Sequence, residues 1–331
     1  MLYLPLNFGL KTLMTAQILL LLLGLALLIL SAEGLVGGAT SLARRFRVSD
    51  LTIGLTVVAF GTSAPELVVN LFASTSSHQD IVFGNILGSN NFNLFIILGI
   101  AGLILPLKVQ VSTVWKEIPM SLAALVIFFL MVNIPSAGGQ RMLGRIDGIV
   151  LLILFVLFQY YVYQQIKNYE PEHEEHKKHV NLYKILALII LGLAGLVVGG
   201  KMVVTNAVII AKAMGVSEKV IGLTIIAAGT SLPELATSVV AALRKNADIA
   251  VGNIVGSNIF NILLIGGMVA TVKPVAYSPI FNTDFYILAA GTVLLFITMF
   301  TSQKHKLDRW EAAMLFIIYV AYTTWLVMKE L

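Results

Sequence analysis

The sequence predicts an all-α integral membrane protein, with ten transmembrane helices arranged as two inverted five-helix repeats and broken helices at the centre. Three observations predict it. Of 331 residues, 58% are hydrophobic and only 12% are charged, roughly half the charge of an average soluble domain. Apolar runs at 18–30, 122–132 and 149–158, extended by mild neighbours, approach the roughly 20 residues needed to cross a bilayer. One stretch of the sequence also occurs twice.

Breaks at proline, glycine and charge clusters place the spans at 14–41, 50–74, 80–104, 113–134, 146–167, 182–209, 218–243, 248–270, 281–301 and 308–328. The first apolar core is too long for a secretory signal and is read as an uncleaved helix. Pro106 and Pro119 bracket a polar stretch between the third and fourth spans. A charged linker at 168–181 separates a first half, 1–167, from a second, 182–331. His173, His176 and His179 recur there at a spacing of three. A solvated loop explains them better than a metal-sensing cluster, and the zinc-protease pattern sets its histidines four apart. The pI is near 9.3, but the basic residues flank apolar spans, which points to a bilayer and not to nucleic acid. Their bias among alternate loops puts both termini outside and the linker in the cytoplasm. With no cysteine, disulfides, thiolate metal sites and cysteine nucleophiles are excluded.

Residues 54–93 align with 222–261 without a gap, at a constant offset (234 − 66 = 168). "GLTVVAFGTSAPEL" meets "GLTIIAAGTSLPEL", and "DIVFGNILGSNNFN" meets "DIAVGNIVGSNIFN". Five spans separate the copies, an odd number, so the second enters the membrane upside down, as in secondary transporters. Pro65 and Pro233 lack an amide hydrogen and crowd the carbonyls of Gly61 and Gly229. The helices should therefore break, with those glycines tolerating the distortion and carbonyls at 59–62 and 227–230 released. Glu66 and Glu234 follow Thr62 and Thr230 by four residues, and Asn93 and Asn261 follow Ser89 and Ser257 by four, so each pair shares a helix face. Crossing the two units gathers carboxylate, amide, hydroxyl and carbonyl oxygens without sulfur or imidazole, a shell suited to hard cations such as Ca²⁺. A buried carboxylate needs a cation or proton beside it, and two glutamates balance one Ca²⁺ or two Na⁺. A kinked packing helix with a paired glutamate is the plainer reading, but no Lys or Arg lies within two turns of either glutamate. Ser63 and Ser231 have no His or Lys base beside them, which argues against a hydrolytic nucleophile and an enzyme.

The paired motifs "GTSAPE…GNILGSNNFN" and "GTSLPE…GNIVGSNIFN" resemble the two alpha-repeats of the sodium/calcium exchanger family, in its compact prokaryotic form, and the resemblance covers essentially the whole chain. It implies an antiporter of the cell (inner) membrane that exchanges Ca²⁺ for Na⁺ by alternating access, with no cofactor and no obligate protein partner. It implies side-chain ligands at Thr62, Ser63, Glu66, Ser89, Asn93, Thr230, Ser231, Glu234 and Ser257, with carbonyls from Ala59 and Ala227. It further implies that the helices at 14–41 and 182–209 slide across a static core. Glu33 and Lys201, repeat mates on those two helices, are either gating charges or side chains snorkelling to an interface. The departure is Asn261, where family members often carry aspartate. The amide makes the halves chemically alike and leaves open the Na⁺ stoichiometry, any K⁺ co-transport and the choice of Na⁺ or H⁺ as coupling ion. A Ca²⁺/H⁺ antiporter is the nearest alternative, and a passive cation channel the alternative from another class.

Overall fold

The computed structural model describes residues 6–75, 80–135, 139–167, 181–215, 227–301 and 304–330. The described chain is almost entirely helical. Helix α1 (Leu6–Phe46) is apolar all round and stops where Arg47 turns left-handed (φ 52°). The Val48 amide then reaches back to the Ala43 carbonyl at 2.9 Å, the six-to-one closure of a Schellman cap. Ser49 caps the next helix by accepting the Thr52 amide at 3.1 Å.

That helix, α2 (Asp50–Thr62), and its continuation α3 (Ala64–Thr75) meet at an angle of 45°. The break falls at Ser63 (φ −83°, ψ 2°), and Pro65 occupies the first turn of α3, where a missing amide costs nothing. Helix α4 (Ile81–Ile104) leads to the two-residue strand β1 (Leu107–Lys108). Next come α5 (Thr113–Asn133), strand β2 (Met142–Leu143) and α6 (Arg145–Lys167). The second half opens with α7 (Leu182–Ala213), capped by Asn181, whose side chain accepts the Tyr183 amide. A single described turn, Ala227–Gly229, precedes α8 (Leu232–Leu243), which again carries its proline in the first turn. Helix α9 (Ala247–Val272), strand β3 (Val275–Ala276), α10 (Pro279–Thr298), strand β4 (Lys306–Leu307) and α11 (Arg309–Glu330) complete the chain.

Among the described residues seven helices are long and apolar enough to span a membrane, or eight if the bent pair α2–α3 counts as one span. Each helix falls close to an expected span. The linker with its three histidines, and the start of the 218–243 span, lie outside the described residues.

Helices α4 and α9 are buried along most of their length, whereas α1, α6, α7 and α10 expose most of theirs. The exposed side chains are large and apolar, among them Leu22, Ile153, Val156, Leu191 and Ile297. A belt of that kind needs lipid over it. Glycine sets the closest approaches. A Cβ on Gly192 would lie 2.9 Å from the Ser31 carbonyl, and one on Gly199 would lie 3.0 Å from the Gly24 carbonyl, so α1 and α7 touch backbone to backbone. Gly54 of α2 and Gly252 of α9 meet in the same way.

Features recur at the offset seen in the sequence. Helices α4 and α9 each carry a π-helical turn, at Phe92–Ile97 and Phe260–Ile265. Strands β1 and β3 occupy equivalent positions, yet β1 pairs with β4 (Leu107 opposite Leu307) and β3 with β2 (Val275 opposite Leu143). Each half is thus laced to the other.

Gly256 tests the close approach of α9 to α2. A Cβ there would lie 2.8 Å from Ala59 Cβ and 3.0 Å from Leu55 Cα. Gly256→Ala should lower the melting temperature of the purified protein, as expected for an overpacking cost of about 1–3 kcal/mol. A melting temperature equal to the parent's would contradict the packing.

Candidate cation site

The breaks in the helices bring α3 and α8 into the middle of the molecule with their carboxylates inward. Glu66 is 1% exposed and Glu234 0%. Among the described residues neither glutamate forms an ion pair; the pairs seen are Arg244 with Glu33 and Lys306 with Asp308.

Hydroxyls next to each break reach into the opposite half. Ser63 Oγ donates to Glu234 Oε1 at 3.0 Å, and Thr62 Oγ1 donates to Asn253 Oδ1 at 3.0 Å. Asn253 in turn donates to the Glu234 carbonyl and to Ser238 Oγ. The other half repeats the pattern. Asn85, the repeat mate of Asn253, donates to Thr230 Oγ1 at 3.1 Å and accepts from Asn70 at 2.6 Å, while Asn70 also donates to the Glu66 carbonyl. Ser89 Oγ lies 3.5 Å from Thr230 Oγ1. Thr62 and Ser63 thus reach across to the other repeat, while Thr62 Oγ1 also lies 3.4 Å from the Ala59 carbonyl of its own helix.

A second network lies between the π turns. Asn90 Nδ2 donates to the Asn258 carbonyl at 3.2 Å and Asn258 Nδ2 to the Asn90 carbonyl at 3.3 Å. Asn93 Nδ2 donates to Asn258 Oδ1, and Asn261 Nδ2 to Asn90 Oδ1. With their amide nitrogens so engaged, Asn93 and Asn261 keep their Oδ1 atoms free. The π turn of Asn93 packs against α8 and that of Asn261 against α3, so each amide belongs beside the glutamate of the opposite half.

Buried oxygens without hydrogen-bond partners include Glu66 Oε1 and Oε2, Glu234 Oε2, Asn93 Oδ1, Asn261 Oδ1, Ser231 Oγ and Ser257 Oγ, all from residues expected from sequence. Asn70 Oδ1 of α3, Thr237 Oγ1 of α8 and oxygens of Asn91, Thr113, Glu117 and Gln159 join them. Buried polar atoms are normally satisfied. All are hard oxygen donors, the kind that Ca²⁺ and Na⁺ accept.

Two expectations about the break need correction. The Ala59 carbonyl is not released, because it accepts the Ser63 amide at 3.0 Å; a proline at 65 deprives Gly61, not Ala59, of its helical donor. The glycines also do more than tolerate distortion. A Cβ on Gly61 would lie 2.4 Å from Leu193, and one on Gly229 would lie 2.4 Å from Val204, so both admit side chains of α7. Ala227 opens the described turn before Ser231. The asparagines at 70, 85, 90, 253 and 258 were not singled out from sequence, although 85, 90, 253 and 258 repeat identically within the quoted motifs.

Apolar helices enclosing a duplicated, carboxylate-bearing core of unpartnered oxygens define an integral membrane protein of the transporter class. The chain belongs to the sodium/calcium exchanger family. That family's model, described as sodium/calcium exchanger protein, matches residues 16–164 and 184–328. The sodium/calcium exchanger MaX1 of Methanosarcina acetivorans is 31% identical over 344 residues, covering 93% of this chain and 97% of MaX1. The inner membrane protein YrbG of Escherichia coli is 35% identical over 322 residues, covering 93% and 96%. A solved structure of the sodium-calcium exchanger NCX_Mj, soaked with Na⁺ and Sr²⁺, superposes with a TM-score of 0.79 at 33% identity, covering 93% of this chain and 97% of that one. This chain is accordingly a compact exchanger of cations across a membrane.

Asn85 and Asn253 hold Thr230 and Thr62 in place. Groups that orient ligands typically influence cation affinity 10- to 100-fold. Asn253→Ala should therefore weaken Ca²⁺ binding to the purified protein by at least roughly tenfold while leaving it folded. Unchanged affinity by calorimetry would show that this network only packs.

Proposed function

We propose that the chain exchanges Ca²⁺ for Na⁺ by alternating access, with the ions held between Glu66 and Glu234. The observation that carries this reading is the cluster of unpartnered oxygens converging from both repeats. Two carboxylates balance one Ca²⁺ or two Na⁺, so competition for one set of oxygens couples the two ions. Neutral donors favour Na⁺ over H⁺ as the coupling ion. A proton is held by one carboxylate, whereas Na⁺, like Ca²⁺, takes several oxygens at once, such as those of Ser231, Ser257, Asn93 and Asn261. MaX1 and NCX_Mj, each named as a sodium/calcium exchanger, accord with that choice.

The proposed ligands are Thr62, Ser63, Glu66, Ser89, Asn93, Thr230, Ser231, Glu234, Ser257 and Asn261, with the carbonyls of Ala59 and Ala227, that of Ala59 through the lone pair not taken by the Ser63 amide. Inversion of the halves is supported by the π turns at one offset, the reciprocal Asn90–Asn258 bonds and the crossed ladders. Ten spans then follow if the second broken helix runs from 218 to the end of α8. Helices α1 and α7 are the proposed moving pair.

The deciding experiment uses reconstituted vesicles. An outward Na⁺ gradient at clamped pH should drive uptake of ⁴⁵Ca²⁺, and Glu66→Gln or Glu234→Gln should each abolish it with the protein still folded. Uptake driven only by a pH gradient would establish proton coupling, uptake that follows voltage alone would establish a channel, and robust uptake by either glutamine variant would remove that glutamate from the ligand set.

Asn261 offers a separate check. Asn261→Asp adds a third carboxylate to a site built for two, and protons should then compete with Ca²⁺ as the pH falls below neutral. Initial uptake rates against pH, under a fixed Na⁺ gradient, should decline in the variant and hold in the parent. Superimposable, fully active profiles would place residue 261 away from the ions.

A further inference from the structure

Helix α1 is tied to the end of α8 by charge. Arg244, the residue that closes α8, sets its Nη2 atom 3.6 Å from Glu33 Oε2. On the way its guanidinium crosses Gly37, where a Cβ would lie 3.1 Å from Nη1. Glu33 and Gly37 are one helical turn apart, so the bare glycine face of α1 is what lets the arginine reach the carboxylate. Beneath this contact Val36 and Ala39 of α1 pack with Val240 and Ala241 of α8 in a closed apolar seam. A cavity of about 960 Å³ opens at the same end of the bundle, with Gly37 and Arg244 in its wall.

The pair has no counterpart in the other half. At the repeat offset Glu33 corresponds to Lys201 (33 + 168), Gly37 to Thr205 and Arg244 to Ser76. Lys201 is exposed, and a serine cannot oppose it with charge.

The two halves also take up α1 and α7 unequally. Gly61 packs on Leu193 and its mate Gly229 on Val204, both residues of α7. A symmetric arrangement would set Gly229 against Leu25 of α1 (193 − 168). Leu25 is instead 38% exposed. Exchanging the roles of the halves therefore produces a second, different arrangement of the same chain. There Glu33 takes the surroundings that Lys201 has now, and Arg244 takes the position at which the sequence of the first half has a serine.

We infer that Glu33 and Arg244 form a one-sided latch, which holds α1 closed on α8 in this conformation and has no equivalent in the mirrored one. The inference rests on the alternating-access reading given above. Arg244 acts through Glu33 on the position of α1, not on the ions. Breaking the latch releases the seam at the Arg244 end, and nothing of equal charge forms at the other. A half-exposed pair at this distance is a weak contact, so it biases the two conformations without locking either.

The absence of cysteine makes the test direct. Ala241 is fully buried in the seam, and Ala241→Cys gives the full-length protein a single thiol. Its rate of reaction with a bulky maleimide, in detergent and without Ca²⁺, reports opening of the seam. Adding E33Q or R244Q should raise that rate about three- to fivefold, as expected for loss of a weak ion pair. Adding the swap E33R with R244E should return it to within about twofold of the parent, since it restores the pair with its charges reversed. Parental rates in both single variants would overturn the latch. So would a charge swap that reacts as fast as the single variants, because the effect would then be lost packing. The labelling requires no transported ion. Failure of gradient-driven Ca²⁺ uptake would therefore refute the transport reading and leave the labelling contrast standing, while failure of the contrast would leave uptake untouched.

Discussion

Two carboxylates buried in an apolar interior without a basic partner are the constraint on which this molecule depends. An isolated charge at such depth costs several kcal/mol, and Glu66 and Glu234 share one centre from opposite halves. No ordinary packing helix would hold them there. On the proposed reading, broken helices, π turns and asparagine pairs all become intelligible as means of presenting further oxygens to these two groups. Ser63 supplies one hydroxyl across the repeat boundary. The Asn90–Asn258 bonds immobilise Asn93 and Asn261 by their nitrogens and so fix which atom of each amide remains free.

The duplication solves a geometric problem. One copy of the motif offers a carboxylate, an amide and hydroxyls from two adjacent helices, too few and too one-sided to surround an ion. In the proposed reading two crossed copies close the shell; the crossing itself is held by backbone-to-backbone contact at Gly54 and Gly252. The same chemistry explains why the central helices α4 and α9 are buried throughout. They are walls of the site on one face and core on the other, while lipid-facing work is left to the outer helices.

Much of this was legible beforehand. The spans were visible as apolar runs and the repeat as identities at one offset, while the proposed ligands came partly from oxygen-bearing residues at helical spacing and partly from the resemblance to a family. What escaped was contact between the copies. Spacing along one helix pairs Thr62 with Glu66, but nothing in a linear pattern shows that Ser63 reaches Glu234 or that Asn253 anchors Thr62. The prolines mark the breaks as expected, but Gly61 and Gly229, read as tolerating the distortion beside Pro65 and Pro233, are also slots for Leu193 and Val204 of a distant helix. Glu33 invited two readings until Arg244, more than 200 residues away in sequence, was found beside it.

The two short ladders carry a consequence for biosynthesis. Leu107 is made early, but its partner Leu307 stands just before the last helix. The edge of β1 therefore stays unpaired until residue 307 has been made. The first half can enter the bilayer as it emerges, helix by helix, but this contact waits on the second. Lacing the halves together is a late step, and a chain released before β4 would leave the ladder unfinished.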